Sequence, residues 1–182
     1  VGILITLVTM GTELFRAKEN ALLNVAMTMF GIVYITLTMS SLILMRSWAF
    51  EFGYDGAHLI VTLFAGVWAC DTAAYFTGLS IGKHKLFPRV SPKKTWEGAI
   101  GGAVGAVATT VGMFSWLMPQ AHISHALVIG VIIAVFGPIG DLSESLLKRD
   151  ATVKDSSHIL PGHGGLMDRF DSMMFIAPIV LV

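Results

Sequence analysis

Charge is scarce in this chain. Of its 182 residues 13% are charged and 54% are apolar, and the mean hydropathy is +0.74. Soluble domains are typically about 25% charged and about 45–50% apolar. With so little polar side chain to cover it, a water-soluble globule is excluded and the bilayer is the fitting solvent. Cysteine is nearly absent as well. Cys70 stands alone, which excludes an intramolecular disulfide framework and a cysteine-based zinc cluster. In its apolar run it reads as a small buried or lipid-facing residue. Formal net charge is zero, so the total points to no class of partner, and no nucleic-acid partner is expected. An initiator Met and a signal-peptide pattern are also missing. The chain opens within an apolar run, Val1–Met10, and closes within another, Phe175–Val182. Both fall short of the ~20 residues that span a bilayer, so a fragment of a longer protein is expected.

What is present is a series of apolar segments: Val1–Gly11, Leu22–Met45, Ala57–Leu79, Ala99–Met118, Ala126–Leu147 and one starting near Phe170. The middle four are full spans by length. None alternates as a barrel strand would. The expected fold is all-α, a polytopic transmembrane helix bundle of about six segments with the first and last truncated. Residues 1–56 read as N-terminal membrane helices. Residues 57–182 read as a catalytic membrane-embedded region with cytoplasmic loops 80–98 and 148–169.

The charges partition by loop. The first, third and fifth loops hold Arg16, Lys18, Lys83, Lys85, Arg89, Lys93, Lys94, Lys148, Arg149, Lys154 and Arg169. The second and fourth hold Arg46 alone. Alternate loops lie on opposite sides, so this asymmetry places loops one, three and five in the cytoplasm. Segment four carries Gly98 with Gly102 and Gly101 with Gly105, a small-xxx-small spacing that suits close helix packing. The ordinary glycine richness of membrane helices explains it equally well.

Several polar residues are out of place in lipid. Asp71 lies in segment three, eight residues from its expected cytoplasmic end, roughly 12 Å deep at 1.5 Å per residue. A carboxylate there costs at least about 2.5 kcal/mol unless solvated or paired. A functional role is the favoured reading, a structural partner for a basic group the alternative. Asp141, Glu144, Ser145 and Lys148 follow Pro138 on one helical face. They read as metal ligands with a basic neighbour, or as an intramembrane ion pair of Lys148 with Glu144 or Asp141.

In the fifth loop, Pro161, Gly162, His163, Gly164 and Gly165 preclude regular structure. They let backbone N–H groups approach an anion just before a helix start. Asp168 and Asp171, three apart at that start, are candidate ligands or a capping pair. The third loop carries Ser91-Pro92-Lys93-Lys94-Thr95-Trp96-Glu97-Gly98. Lys93 and Lys94 read there as phosphate neutralisers or as a juxtamembrane lipid contact. Lys83, Lys85 and Arg89 read as lipid-facing or topology charges. His58, His84, His122 and His125 read as solvated loop residues without partners.

Acids and bases gathered on one membrane face suit Mg²⁺-assisted phosphoryl chemistry, in which one or two carboxylates and substrate oxygens hold the ion. The run Ser145-x-Leu147-Lys148-Arg149-x4-Lys154-Asp155-x-Ser157-x2-Leu160-Pro161-x-His163-Gly164-Gly165-Leu166-x-Asp168-Arg169-Phe170-Asp171 resembles the signature of the phosphatidate cytidylyltransferases (CDP-diacylglycerol synthases). Asp71-x3-Tyr75-x2-Gly78, the Ser91–Gly98 run and Gly140-Asp141-x2-Glu144-Ser145 are similar to that family's pattern too. Motif-bearing likeness covers roughly residues 60–175.

The resemblance implies transfer of CMP from CTP to phosphatidate, giving CDP-diacylglycerol and pyrophosphate in phospholipid biosynthesis. It implies catalytic roles for Asp141, Asp168, Lys148, Arg149, Lys154 and His163. Substrate contacts would come from Tyr75, Ser91, Lys93, Lys94, Ser145, Gly164, Gly165 and Arg169. Asp141 and Asp168 would ligate metal, with Asp71 and Glu144 near. The implied cofactor is Mg²⁺, with a second cation left open, and the implied partners are CTP, phosphatidate and membrane lipid, with a homodimer left open. The expected location is a bacterial inner membrane, with the site on the cytoplasmic face. Two rivals are a CTP-dependent polyprenol or lipid kinase, which would use similar parts, and an ion-coupled transporter, which would use Asp71 and Asp141 but has no need of the basic and glycine-rich loops.

Overall fold

A computed structural model describes residues 2–16, 19–51, 53–153, 156–157, 165 and 167–182, apart from the side chain of Arg169. The helices are α1 (Gly2–Arg16), α2 (Ala21–Trp48), α3 (Gly56–Ile81), α4 (Trp96–Leu117), α5 (Ile123–Asp150) and α6 (Met167–Leu181). A two-stranded antiparallel hairpin, β1 (Lys85–Phe87) and β2 (Ser91–Thr95), joins α3 to α4. Helices α2 to α5 are each long and apolar enough to cross a membrane. Large apolar side chains stand fully on their outer faces, among them Trp68, Leu79, Ile100 and Val104. Water would not tolerate that surface, and the chain is an integral membrane protein.

Each apolar segment became a helix, extended by a few residues. The extensions matter at α5, which continues through Asp150. Lys148 and Arg149, expected in a loop, therefore sit on its last turn. The hairpin was not expected at all, because residues 80–98 read as an irregular loop.

Two compact units are formed, 1–40 and 41–182. In the first, Asn24 on α2 donates to Glu13 on α1 at 2.6 Å, and Glu13 also pairs with Arg16.

In the second unit, α3 and α4 approach so closely that backbone meets backbone. A Cβ added at Gly98 would lie 2.8 Å from the Ala74 carbonyl oxygen, and one at Gly102 would lie 2.9 Å from that of Cys70. The glycine spacing is thus a packing seam, and Cys70 is buried in it. A Gly102→Val variant is expected to lose about 1–3 kcal/mol through overpacking, read as a lower midpoint of thermal unfolding in detergent. Gly112 faces open space, so Gly112→Ala should leave that midpoint unchanged.

Helix α5 carries Pro138 in its interior. Proline supplies no N–H there and loosens the helix. Two carbonyl oxygens at this point receive side chains from other elements: Ser172 of α6 donates to Gly137 at 3.1 Å, and Lys94 of β2 donates to Pro138 at 3.5 Å. Gly140 allows α6 to come close, since a Cβ there would lie 2.9 Å from the Asp171 carbonyl oxygen.

The hairpin is fixed at its base. Thr95 caps α4 through the Gly98 N–H at 3.1 Å, and the Trp96 N–H donates to the His84 carbonyl at 2.9 Å. At the other end of this unit, Tyr54, His125 and Leu181 line one apolar cavity. The hairpin, the end of α5 and the start of α6 therefore share the opposite end, as the charge partition requires.

Candidate active site

A cavity of about 600 Å³ opens at the basic end of the second unit. Helix α3 contributes Asp71, Tyr75 and Gly78; the hairpin contributes Lys85, Lys93 and Lys94; α5 contributes Pro138 and Asp141. Asp71 lies ten residues before the end of α3, deeper than expected because that helix is longer. Its carboxylate avoids burial in lipid by facing this cavity.

Lys94 crosses the cavity to Asp141, Nζ to Oδ2 at 2.5 Å. The Ser145 hydroxyl donates to the other oxygen of Asp141 at 3.3 Å. Asp71 is within Coulombic reach of Asp141, Asp171 and Lys94. Asp171 is in turn within reach of Asp141, Lys148 and Lys94.

A second polar cluster adjoins this one. Lys148 Nζ lies 2.6 Å from Asp168 Oδ1 and 3.4 Å from Glu144 Oε1. Glu144 is only 4% exposed. Among the described residues neither of its carboxylate oxygens accepts a hydrogen bond, so the Lys148 charge is its compensation. Asp168 Oδ2 accepts from the Ser156 N–H at 3.0 Å, the Ser156 hydroxyl at 2.7 Å and the Gly165 N–H at 2.7 Å. Burial opposes ionisation of Asp168, but Lys148, Ser156 and the Gly165 N–H together hold its carboxyl well below the usual carboxylate range. Gly165 must be glycine for this, because a Cβ would collide with the Ser156 hydroxyl.

The expected site residues thus divide. Asp71, Tyr75, Lys93, Lys94 and Asp141 line one cavity, and Ser145 bonds to Asp141. Glu144, Lys148, Asp168 and Gly165 form the adjoining cluster. Ser91 is half-buried in β2, and Arg149 is exposed on the last turn of α5; neither lines the cavity. Lys154, His163, Gly164 and the Arg169 side chain lie outside the described residues. Of the two readings of the α5 polar face, the ion pair has a counterpart. Lys148 does pair with Glu144, whereas Asp141 pairs with Lys94 instead.

Three features were missed. Asp171 was noted at a helix start, but its closeness to Asp141 depends on the Gly140 contact between α5 and α6. His84 was read as solvated and partnerless; its ring Nδ1 lies 2.6 Å from Glu97 Oε1, and its N–H lies 3.2 Å from Oε2. His125 was read in the same way, yet its Nδ1 meets the Tyr54 hydroxyl at 2.6 Å. These partners lie 13 and 71 residues away, beyond any local signal.

Comparison with known proteins gives the family. A model of the cytidylyltransferase family matches residues 1–182. The phosphatidate cytidylyltransferase of Staphylococcus haemolyticus is 47% identical over 126 residues, which are 69% of this chain and 48% of that protein. The phosphatidate cytidylyltransferase of Staphylococcus saprophyticus is 44% identical over 131 residues, 72% of this chain and 50% of that protein. That of Staphylococcus aureus gives the same figures. The chain spans about half the length of the curated relatives it matches. With its match running from end to end, the chain belongs to the cytidylyltransferase family.

Proposed function

We propose that this chain is the catalytic part of a phosphatidate cytidylyltransferase, working on the cytoplasmic face of a bacterial inner membrane. The observation that carries the reading is the cavity that Lys93 and Lys94 share with Asp71 and Asp141. Its ammonium groups suit phosphate oxygens, and its apolar wall, with Leu79, Leu86 and Tyr75, suits a lipid. An oxygen of the phosphatidate phosphate attacks the α-phosphorus of CTP. The bond from that phosphorus to the β-phosphate's bridging oxygen breaks, and pyrophosphate leaves. A phosphate monoester is anionic near neutral pH, so no strong general base is required. Lys93 and Lys94 offset negative charge on the phosphate oxygens and hold the two substrates together.

The donor set fits Mg²⁺. Four carboxylates, Asp71, Asp141, Glu144 and Asp168, stand in the two clusters, and the buried oxygens of Glu144 lack hydrogen bonds among the described residues. No group of three or more potential ligand side chains stands ready to hold a metal among those residues. Mg²⁺ uses one or two carboxylates and takes its remaining ligands from water and substrate phosphates. Asp141 is the first candidate ligand, with Asp71 near. Asp168 is the second, and would exchange its present donors for the ion. When bound, the ion would neutralise charge on the substrate phosphates.

The test is full-length protein in detergent, given CTP, phosphatidate and Mg²⁺. Pyrophosphate and CDP-diacylglycerol are the expected products; CDP and a newly phosphorylated lipid alcohol would indicate a lipid kinase. Lys93→Gln is expected to raise the KM for CTP roughly tenfold, the weight of one charge-assisted contact. An unchanged KM would place CTP elsewhere.

A further inference from the structure

We propose that the outer face of the β1–β2 hairpin is a docking surface for the anionic headgroups of the surrounding bilayer, separate from the substrate cavity. The proposal rests on the membrane reading and not on which reaction the cavity performs.

Depth comes first. Helix α3 ends at Ile81 and α4 begins at Trp96, and both helices are candidate membrane spans. The hairpin between them therefore lies at the level where hydrocarbon gives way to headgroups.

Its chemistry suits that level. Residues 82–95 include Lys83, Lys85, Arg89, Lys93 and Lys94 and no Asp or Glu. Lys85, Lys93 and Lys94 line the cavity, whereas Lys83 and Arg89 do not. Lys83 and Arg89 are exposed, as are Phe87 at 54% and Trp96 at 56%. Aromatic rings beside Lys and Arg at a helix boundary are what interfacial anchoring uses, and clustered juxtamembrane cations attract acidic lipid.

The hairpin is also held in place. Glu97 grips His84 through both its ring and its N–H, and Trp96 bonds to the His84 carbonyl. The basic and aromatic side chains are thus carried on a fixed frame.

The experiment uses full-length protein in which Trp96 is the only tryptophan, placed in nanodiscs with brominated phosphatidylglycerol or brominated phosphatidylcholine at equal mole fraction. At low salt the anionic lipid should quench Trp96 at least about threefold more effectively, in line with the pull expected of one or two interfacial cations. Lys83→Gln with Arg89→Gln should abolish that preference while leaving turnover in detergent unchanged. Equal quenching by the two lipids in the parent protein would overturn the proposal. If the single-tryptophan protein does not fold, native mass spectrometry of the natural-tryptophan protein replaces it. Loss of retained phosphatidylglycerol in the double variant supports the proposal, and equal retention overturns it. Neither readout depends on catalysis, so failure here leaves the cytidylyltransferase reading standing, and the reverse also holds.

Discussion

Replacing Asp141 by Asn is expected to reduce turnover by at least about a hundredfold, the usual scale for removing one electrostatic group aimed at a reacting centre. Asp141 is where the parts of the site meet. It holds Lys94 of the hairpin at 2.5 Å and the Ser145 hydroxyl at 3.3 Å, and it lines the cavity with Asp71. Asparagine keeps the shape and loses the charge. Lys94 would then lose its counterion, and the first candidate metal ligand would become a weak one. Because Asp141 is partly exposed to the cavity, the variant should still insert and elute as one species in size-exclusion chromatography. Near-normal turnover at saturating Mg²⁺ would remove Asp141 from the site.

A second large effect is expected at Lys148, on stability. Glu144 is buried and depends on the Lys148 charge, and Lys148 also holds Asp168. Removing one partner of a buried ion pair typically costs about 3–5 kcal/mol, because the other charge is left uncompensated. Lys148→Met should therefore lower the unfolding midpoint sharply. Adding Glu144→Gln removes the stranded charge, and the double variant should recover much of the loss. Activity should not return with it, since the Lys148 ammonium group beside Asp168 would still be missing from the site. A double variant no more stable than Lys148→Met would show that the pair does not carry this weight.

The membrane architecture was legible because its causes are local. Runs of apolar residues long enough to span lipid announce α2 to α5. The Gly98–Gly102 spacing was legible as a pattern but not as a contact. Only the distance to the Ala74 and Cys70 carbonyls decides between packing and composition.

The hairpin escaped notice because Lys85–Phe87 and Ser91–Thr95 are short and lack the apolar alternation that marks a half-buried strand. It is held at its base by the Thr95 cap, which is local to the start of α4, and by the Glu97–His84 contact, whose partners are 13 residues apart. The candidate site was legible as a set of residues but, apart from the i, i+4 pair of Glu144 with Lys148, not as a set of pairs. Lys94 and Asp141 stand 47 positions apart, and nothing local says that Lys94 serves Asp141 or that Lys148 also serves Asp168. Asp171 joins the set through the small residue Gly140, whose role as a contact point between α5 and α6 has no signature of its own.

The central claim is that CTP enters the cavity between the hairpin, α3 and α5. Photo-crosslinking full-length protein with an azido-CTP, followed by peptide mapping, tests it most directly. Adducts within residues 75–95, suppressed by excess CTP, are the expected result. Adducts confined to the Tyr54 and His125 end of the bundle, or labelling that CTP does not suppress, would contradict it.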